Sequence, residues 1–235
     1  MSAFMVKRRH VIMGMAAASV MPRMSFAQGA PQRGGTLKIS HSNRIATLNV
    51  LTNSGPAEYP VMDMVYSGLT RIGLGNTVMA DLAESWEANE EATEFVFTLR
   101  EGVTFHDGTP LTSADVVATY EAILDPDIPA SAGATLGMVD SVEALDDLRV
   151  KFALNAPYAD LPTATAHANA RILSVAAVRG DMAELDTQVN GTGPFMLEDY
   201  DSARIVRLVR NPNYYDPDKP YLDAVEMHLF PDLAA

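Results

Sequence analysis

Residues 94–117 read EFVFTLREGVTFHDGTPLTSADVV, from Glu94 to Val117. The stretch opens on alternation. Phe95, Phe97 and Leu99 fall on one side of an extended chain, and Glu94, Thr98 and Arg100 on the other. A period of two predicts a strand with one buried face. Glu101-Gly102 predicts a turn into a short extended run, Val103 to His106. Asp107-Gly108 predicts another, with the glycine in a left-handed conformation. Thr112 stands three residues before Asp115, the spacing of a reciprocal cap. A helix is therefore predicted over 113–124, closed by Asp125-Pro126.

Outward from this stretch the pattern continues. Gly34-Gly35 opens a predicted strand, Thr36 to Ser40, with Leu37 and Ile39 on one face. Ala57 to Gly68 reads as a helix, with Pro60 in its first turn, Val61, Met62, Val65, Tyr66 and Leu69 at helical spacing, and Gly68 as its stop. Trp86 is expected to pack beneath a loop. Downstream, Ser141–Leu145 and Leu148–Leu154 form a predicted hairpin over Asp146-Asp147. Phe195–Tyr200 and Arg204–Arg210 pair around Asp201-Ser202. A last strand runs from Ala224 to Phe230, with Val225, Met227 and Leu229 inward. No internal repeat is visible. Strands mixed with helices in irregular order predict a mixed α/β (α+β) class, not a regular doubly wound sheet.

The 235 residues are 48% hydrophobic and 20% charged, an ordinary globular composition. The absence of cysteine excludes a disulfide scaffold, a Cys-ligated zinc, a Cys nucleophile and a lipoprotein anchor. The first segment reads as a targeting signal over 1–27. Lys7-Arg8-Arg9 forms a basic start, an apolar run extends from Val11 to Val20, and Ser25-Phe26-Ala27 presents small residues at a cleavage site. The run is too short for a bilayer-spanning anchor. Arg8-Arg9-His10-Val11-Ile12 has the form of a twin-arginine signal, and an ordinary secretory signal beginning with paired basic residues is the other reading. Residues 28–33 read as a flexible leader. The expected location is the periplasm. Cleavage after Ala27 removes Lys7, Arg8, Arg9 and Arg23 but no acid, taking the formal net charge from −13 to −17. So acidic a chain is not expected to bind nucleic acid, nor to insert in a membrane after cleavage.

The chemistry-bearing residues are sparse. His10, His41, His106, His167 and His228 are scattered, without metal-ligand spacing. His106 and Asp107 are adjacent in an extended run and point to opposite faces. There is no nucleophile elbow, phosphate loop or dinucleotide fingerprint. Asp146-Asp147 and Glu90-Glu91 read as solvated turns. No catalytic residue, metal ligand or cofactor is expected.

Several phrases, in order, resemble the extracytoplasmic solute-binding proteins of family 5, the oligopeptide, dipeptide and nickel binding components of ABC importers. They are Gly34-Gly35-Thr36-Leu37, Thr47-Leu48-Asn49, Val65-Tyr66-Ser67-Gly68-Leu69, Asp81 to Trp86, Phe97 to Thr112 with Asp115-Val116-Val117, Gly191-Thr192-Gly193-Pro194-Phe195, and Arg210-Asn211-Pro212-Asn213-Tyr214-Tyr215. Val50 stands where the family usually has proline, and Tyr215 where tryptophan is commoner. The resemblance implies a periplasmic binding protein type II-like clamshell, about twice this length or more, that closes on a peptide or related small solute and delivers it to an inner-membrane ABC permease. It also implies that 34–235 is the first lobe with an adjoining subdomain, the second lobe missing. Ligand contact is expected on two loops. Thr52, Asn53, Ser54 and Gly55 lie on the first. Ser131, Ala132 and Gly133 open the second, a stretch read as flexible, with small side chains that leave room for a ligand. Two other readings stay open: a truncated, non-trapping fragment of such a receptor, and a periplasmic metal-binding or hydrolytic protein.

Overall fold

The structure is a computed structural model that describes residues 31–53 and 55–230. The predicted signal, the start of the 28–33 leader and Ser54 lie outside the described residues. Everything below concerns the unit Gln32–Ala235.

In chain order the elements are β1 (Thr36–His41), α1 (Tyr59–Val65), β2 (Thr70–Ile72), β3 (Val78–Ala80), β4 (Ala83–Ala88), β5 (Glu94–Leu99), α2 (Ser113–Leu124), β6 (Val139–Asp146), β7 (Arg149–Leu154), α3 (Leu161–Ala164), α4 (Val175–Arg179), a 3-10 turn at Glu184–Asp186, β8 (Phe195–Asp201), β9 (Ile205–Arg210) and β10 (Ala224–Leu229). They form two four-stranded sheets and a small hairpin, the mixed α/β class expected. The first sheet has the order β1-β10-β9-β8. In it β1 runs parallel to β10, Thr36 opposite Ala224, and the other pairs are antiparallel. The second, β4-β5-β7-β6, is antiparallel throughout. Among the described residues β2 and β3 pair only with each other.

The alternation in β5 does what it predicts. Phe95, Phe97 and Leu99 are buried, and β5 lies between β4 and β7. Phe97 meets Phe152 of β7 edge-on at 5.2 Å, and Tyr120 of α2 meets the same ring at 4.8 Å. Helix α2 thus lays its aromatic face on the sheet, where offset and perpendicular rings pack best. Its start is fixed by Asp115. One carboxylate oxygen accepts the Thr112 N–H at 2.8 Å and the Thr112 hydroxyl at 3.0 Å, while the other accepts the Val175 N–H, 60 residues on, at 2.8 Å.

Three expectations are corrected. Helix α1 ends at Val65, not Gly68, because Tyr66 turns extended and buries its ring. Gly68 forms instead an isolated bridge with Arg171, and a Cβ there would lie 2.9 Å from that guanidinium. Trp86 is on β4, opposite Phe97, its ring 6.2 Å from that phenyl, not beneath a loop. Val103–His106 is no strand: it makes one bridge, Thr104 to Pro110, around a turn in which Gly108 has φ of 86°.

Asp115→Ala is expected to cost more than Thr112→Ala. The second loses only part of a cap, about 1 kcal/mol. The first also leaves the Val175 N–H at the half-buried start of α4 without its partner, for a total of about 2–3 kcal/mol. Urea denaturation of the two variants checks the order.

Candidate functional site

The first candidate loop is built by asparagines. Asn49 turns the chain by accepting the Leu51 and Thr52 N–H groups at 3.1 and 3.4 Å. Asn53 accepts the Gly55 N–H at 2.6 Å and donates to the Met62 sulfur at 3.3 Å. From across the fold, the buried Asn169 donates to the Val50 carbonyl at 2.7 Å and the Asn53 carbonyl at 2.9 Å. Side-chain amides thereby take over the backbone groups that a loop cannot pair with itself. Thr52 and Gly55 are half-buried at its surface, whereas Asn53 is buried with both ends of its carboxamide engaged. Asn53 shapes the loop.

The second candidate stretch meets the first: the Ser131 N–H donates to the Leu51 carbonyl at 2.8 Å. Part of it is closely packed, while Gly133 and Gly137 line a pocket of about 450 Å³. Ala132 and Leu136 are fully buried, joined by an N–H to carbonyl bond of 3.0 Å, and a Cβ on Gly133 would lie 3.2 Å from the Ala130 and Ile123 carbonyls. Ala132 is small because the core is close against it.

The segment 161–171, which sequence reasoning passed over, completes the face. The His167 ring stands edge-on to Tyr59 at 6.4 Å. Its Nδ1 accepts the Asn169 N–H at 3.1 Å, which leaves Nε2 as the protonated nitrogen. Burial, and then the nearby Arg171, hold His167 below the usual imidazole range. Arg171 is 8% exposed and pairs through Nη2 with Asp63 at 2.6 Å, Asp63 being 53% exposed. The Arg171 Nε and the Tyr66 hydroxyl are buried without a hydrogen-bond partner. A buried arginine needs its counter-ion, since an uncompensated interior cation costs several kcal/mol.

Beside this pair lies a pocket of about 430 Å³. Asp63, Tyr66, Arg71, Asp81, Arg171 and Tyr214 are among its lining residues. Asp81 is a buried anchor of that wall. It accepts the Tyr215 hydroxyl at 2.6 Å and the Gly68 N–H at 3.1 Å. Burial lifts its carboxyl above the usual range, against the pull of the Tyr215 hydroxyl and of Arg171. Tyr215 also lies under the Arg100 guanidinium at 5.1 Å, so its ring meets a cation while its hydroxyl meets the carboxylate.

The arrangement suits recognition. It offers fixed backbone dipoles, a paired arginine and aromatic edges. Among the described residues no group of three His, Cys, Asp or Glu side chains is placed to hold a metal ion. His106 and Asp107 diverge, the ring toward the Gly193 carbonyl and the carboxylate toward Asn190. Asp146 is spent on its own turn, accepting from Leu148 and Arg149. Among the described residues no helix is long and apolar enough to cross a membrane.

Comparison with known proteins accords with this reading. The family model described as bacterial extracellular solute-binding proteins, family 5 Middle, matches residues 77–235. The chain is 30% identical over 215 residues to the oligopeptide-binding protein AppA of Bacillus subtilis, a match covering 88% of this chain and 39% of that protein. It is 30% identical over 189 residues to the probable D,D-dipeptide-binding periplasmic protein DdpA of Escherichia coli, covering 78% of this chain and 36% of that protein. Among solved structures, the binding protein AgaA of A. tumefaciens in complex with agropinic acid superposes with a TM-score of 0.79 at 32% identity, over 83% of this chain and 40% of that one. AppA in complex with a nonapeptide superposes with a TM-score of 0.77 over 86% of this chain and 41% of that one. The chain thus spans about two fifths of the length of these relatives.

Asn169→Ala is expected to release the Val50 and Asn53 carbonyls and to lower unfolding stability by about 2 kcal/mol. A thermal melt checks the loss. Amide exchange at Thr52 and Gly55 should rise more than exchange in β5.

Proposed function

This chain belongs to family 5 of the bacterial extracellular solute-binding proteins, and on that premise we propose that it supplies one wall of a periplasmic cleft that captures a peptide or a related small solute for an ABC importer. Capture is by binding, without chemistry. The observation that carries the reading is the pocket beside the Asp63–Arg171 pair, one of whose lining residues, Ala168, directly precedes the Asn169 that holds the Val50 and Asn53 carbonyls of the first loop. Fixed carbonyl and N–H groups on such a loop bond a peptide backbone whatever its side chains. Arg171 and Asp63 offer one partner of each sign for the charged groups of a zwitterion. A peptide is preferred because AppA and DdpA are oligopeptide- and dipeptide-binding proteins by name.

Thr52, Ser54 and Gly55 are proposed as contacts of the first loop. Ser131 is proposed to act with them through its bond to Leu51, and Ala132 and Gly133 by setting the shape of that backbone. The 1–27 segment is proposed to direct export to the periplasm, and the partner after capture is an inner-membrane permease.

Titration of isotopically labelled protein with di-, tri- and nonapeptides at about 1–10 mM tests the proposal, a range set by the affinity of one wall alone. The amide signals of Thr52, Gly55 and Ala168 should move, and those of the remote strand β6 should not. Arg171→Met keeps the buried stem and removes the charge. It should weaken binding about tenfold, the effect of one charge-assisted bond. Absence of any shift in the loop signals at the highest peptide concentration overturns the peptide reading.

A further inference from the structure

Two of the signature phrases grip each other. The His106 N–H donates to the Gly191 carbonyl at 2.8 Å. The Gly191 N–H in turn donates to His106 Nδ1 at 3.3 Å, and His106 Nε2 donates to the Gly193 carbonyl at 3.1 Å. Next to them the Asp107 N–H meets the Asn190 side-chain oxygen at 3.2 Å, and the Asn190 amide donates to the Asp107 carboxylate at 2.9 Å. On its far side the same segment is pressed on the end of α1. The Gly193 N–H bonds the Val65 carbonyl at 3.1 Å. A Cβ on Gly191 would overlap that carbonyl, and one on Gly193 would lie 2.6 Å from the Met64 carbonyl.

These bonds admit one form of the ring, neutral, with Nδ1 bare and the proton on Nε2. We propose that His106 is an acid-sensitive latch on Asn190–Gly193, the segment pressed on the end of α1, and that it loosens its hold at Gly191 when its ring is protonated. A proton added to Nδ1 faces the Gly191 N–H, donor against donor, and that bond breaks while the bond from Nε2 stays. Release reaches the pocket directly, because Pro194, next in the chain, lines it together with Tyr66 and Asp63.

The groups around the ring allow this. On its own turn, Asp107 attracts the charged form, but its carboxylate is occupied by Thr109 and Asn190. The 190–193 segment carries no ionisable side chain. The end of α1 presents Tyr66, whose hydroxyl is held neutral by burial. Burial outweighs Asp107 and holds the His106 ring below the usual imidazole range. A depressed value in the folded state means that the unfolded chain takes the proton first. The latch therefore contributes fully above about pH 6.5, and its contribution shrinks as pH falls from there toward the folded-state value.

The test is amide exchange of Gly191, expressed as protection relative to the intrinsic rate at each pH, from about pH 7 to about pH 5. In the unaltered chain Gly191 protection should fall progressively over this range. Phe97 in β5 should stay constant. His106→Asn places a carbonyl oxygen near the Nδ1 position and does not titrate, so its Gly191 protection should be flat. Unchanged protection in the unaltered chain, or an equal fall in His106→Asn, overturns the latch. So does a ring nitrogen spectrum that puts the neutral proton on Nδ1, a measurement that needs no variant.

Discussion

At Gly191 and Gly193 one stretch of backbone lies so close to another that no side chain fits between them. Much of the architecture hangs on that approach. On one side is the last turn of α1, on the other the turn that follows β5, and the segment itself runs on into β8. The sheet that contains β5 and the sheet that contains β8 are thus fastened through three hydrogen-bonded backbones, not through side chains alone. Asn211 strengthens the joint by donating to the Gly193 carbonyl at 2.9 Å. Interior packing at this density transmits displacement instead of absorbing it, which is why the end of α1, and the pocket wall it carries, answers to what happens at His106.

Most of the strands and the longest helix were legible in the sequence because their determinants are local. The alternation of Phe95, Phe97 and Leu99 names a face, and Thr112 with Asp115 names a helix start within four residues. The short elements were not legible. Helices α3 and α4 have four and five residues, barely more than one turn, too short to show a period. β4, with the sequence AESWEA, hides its pairing because its outward residues are acidic and its bulge near Ser85 breaks the alternation. Helix α1 was read too long because Tyr66 and Leu69 continue the helical spacing while the backbone has already turned.

The candidate site was legible only in part, for a related reason. The loop at 50–58 is visible as a polar, glycine-containing stretch, but what fixes it is Asn169, 119 positions from Val50. Nothing about an asparagine in a run of alanines announces such a reach. Arg171 is equally silent in sequence, since its meaning comes from Asp63, 108 positions away. The stretch that opens at Ser131 is mixed: Ala132 is packed into the core, while Gly133 and Gly137 border a surface pocket. In both cases tertiary proximity decides the role, and composition alone does not carry it.

The parallel pairing of β1 with β10 has a consequence for the order in which the molecule assembles. Gly35 and Asp223, joined by a hydrogen bond of 2.8 Å, are 188 positions apart. A ribosome adding about 5–20 residues per second needs roughly 10–40 s to traverse that interval. Throughout it the first strand has emerged and β10, its sheet partner among the described residues, does not yet exist. The β4–β7 sheet and its helix, whose contacts are nearer in sequence, have time to form first, and the sheet that holds β1 is closed last, at a pace set by translation and not by conformational search.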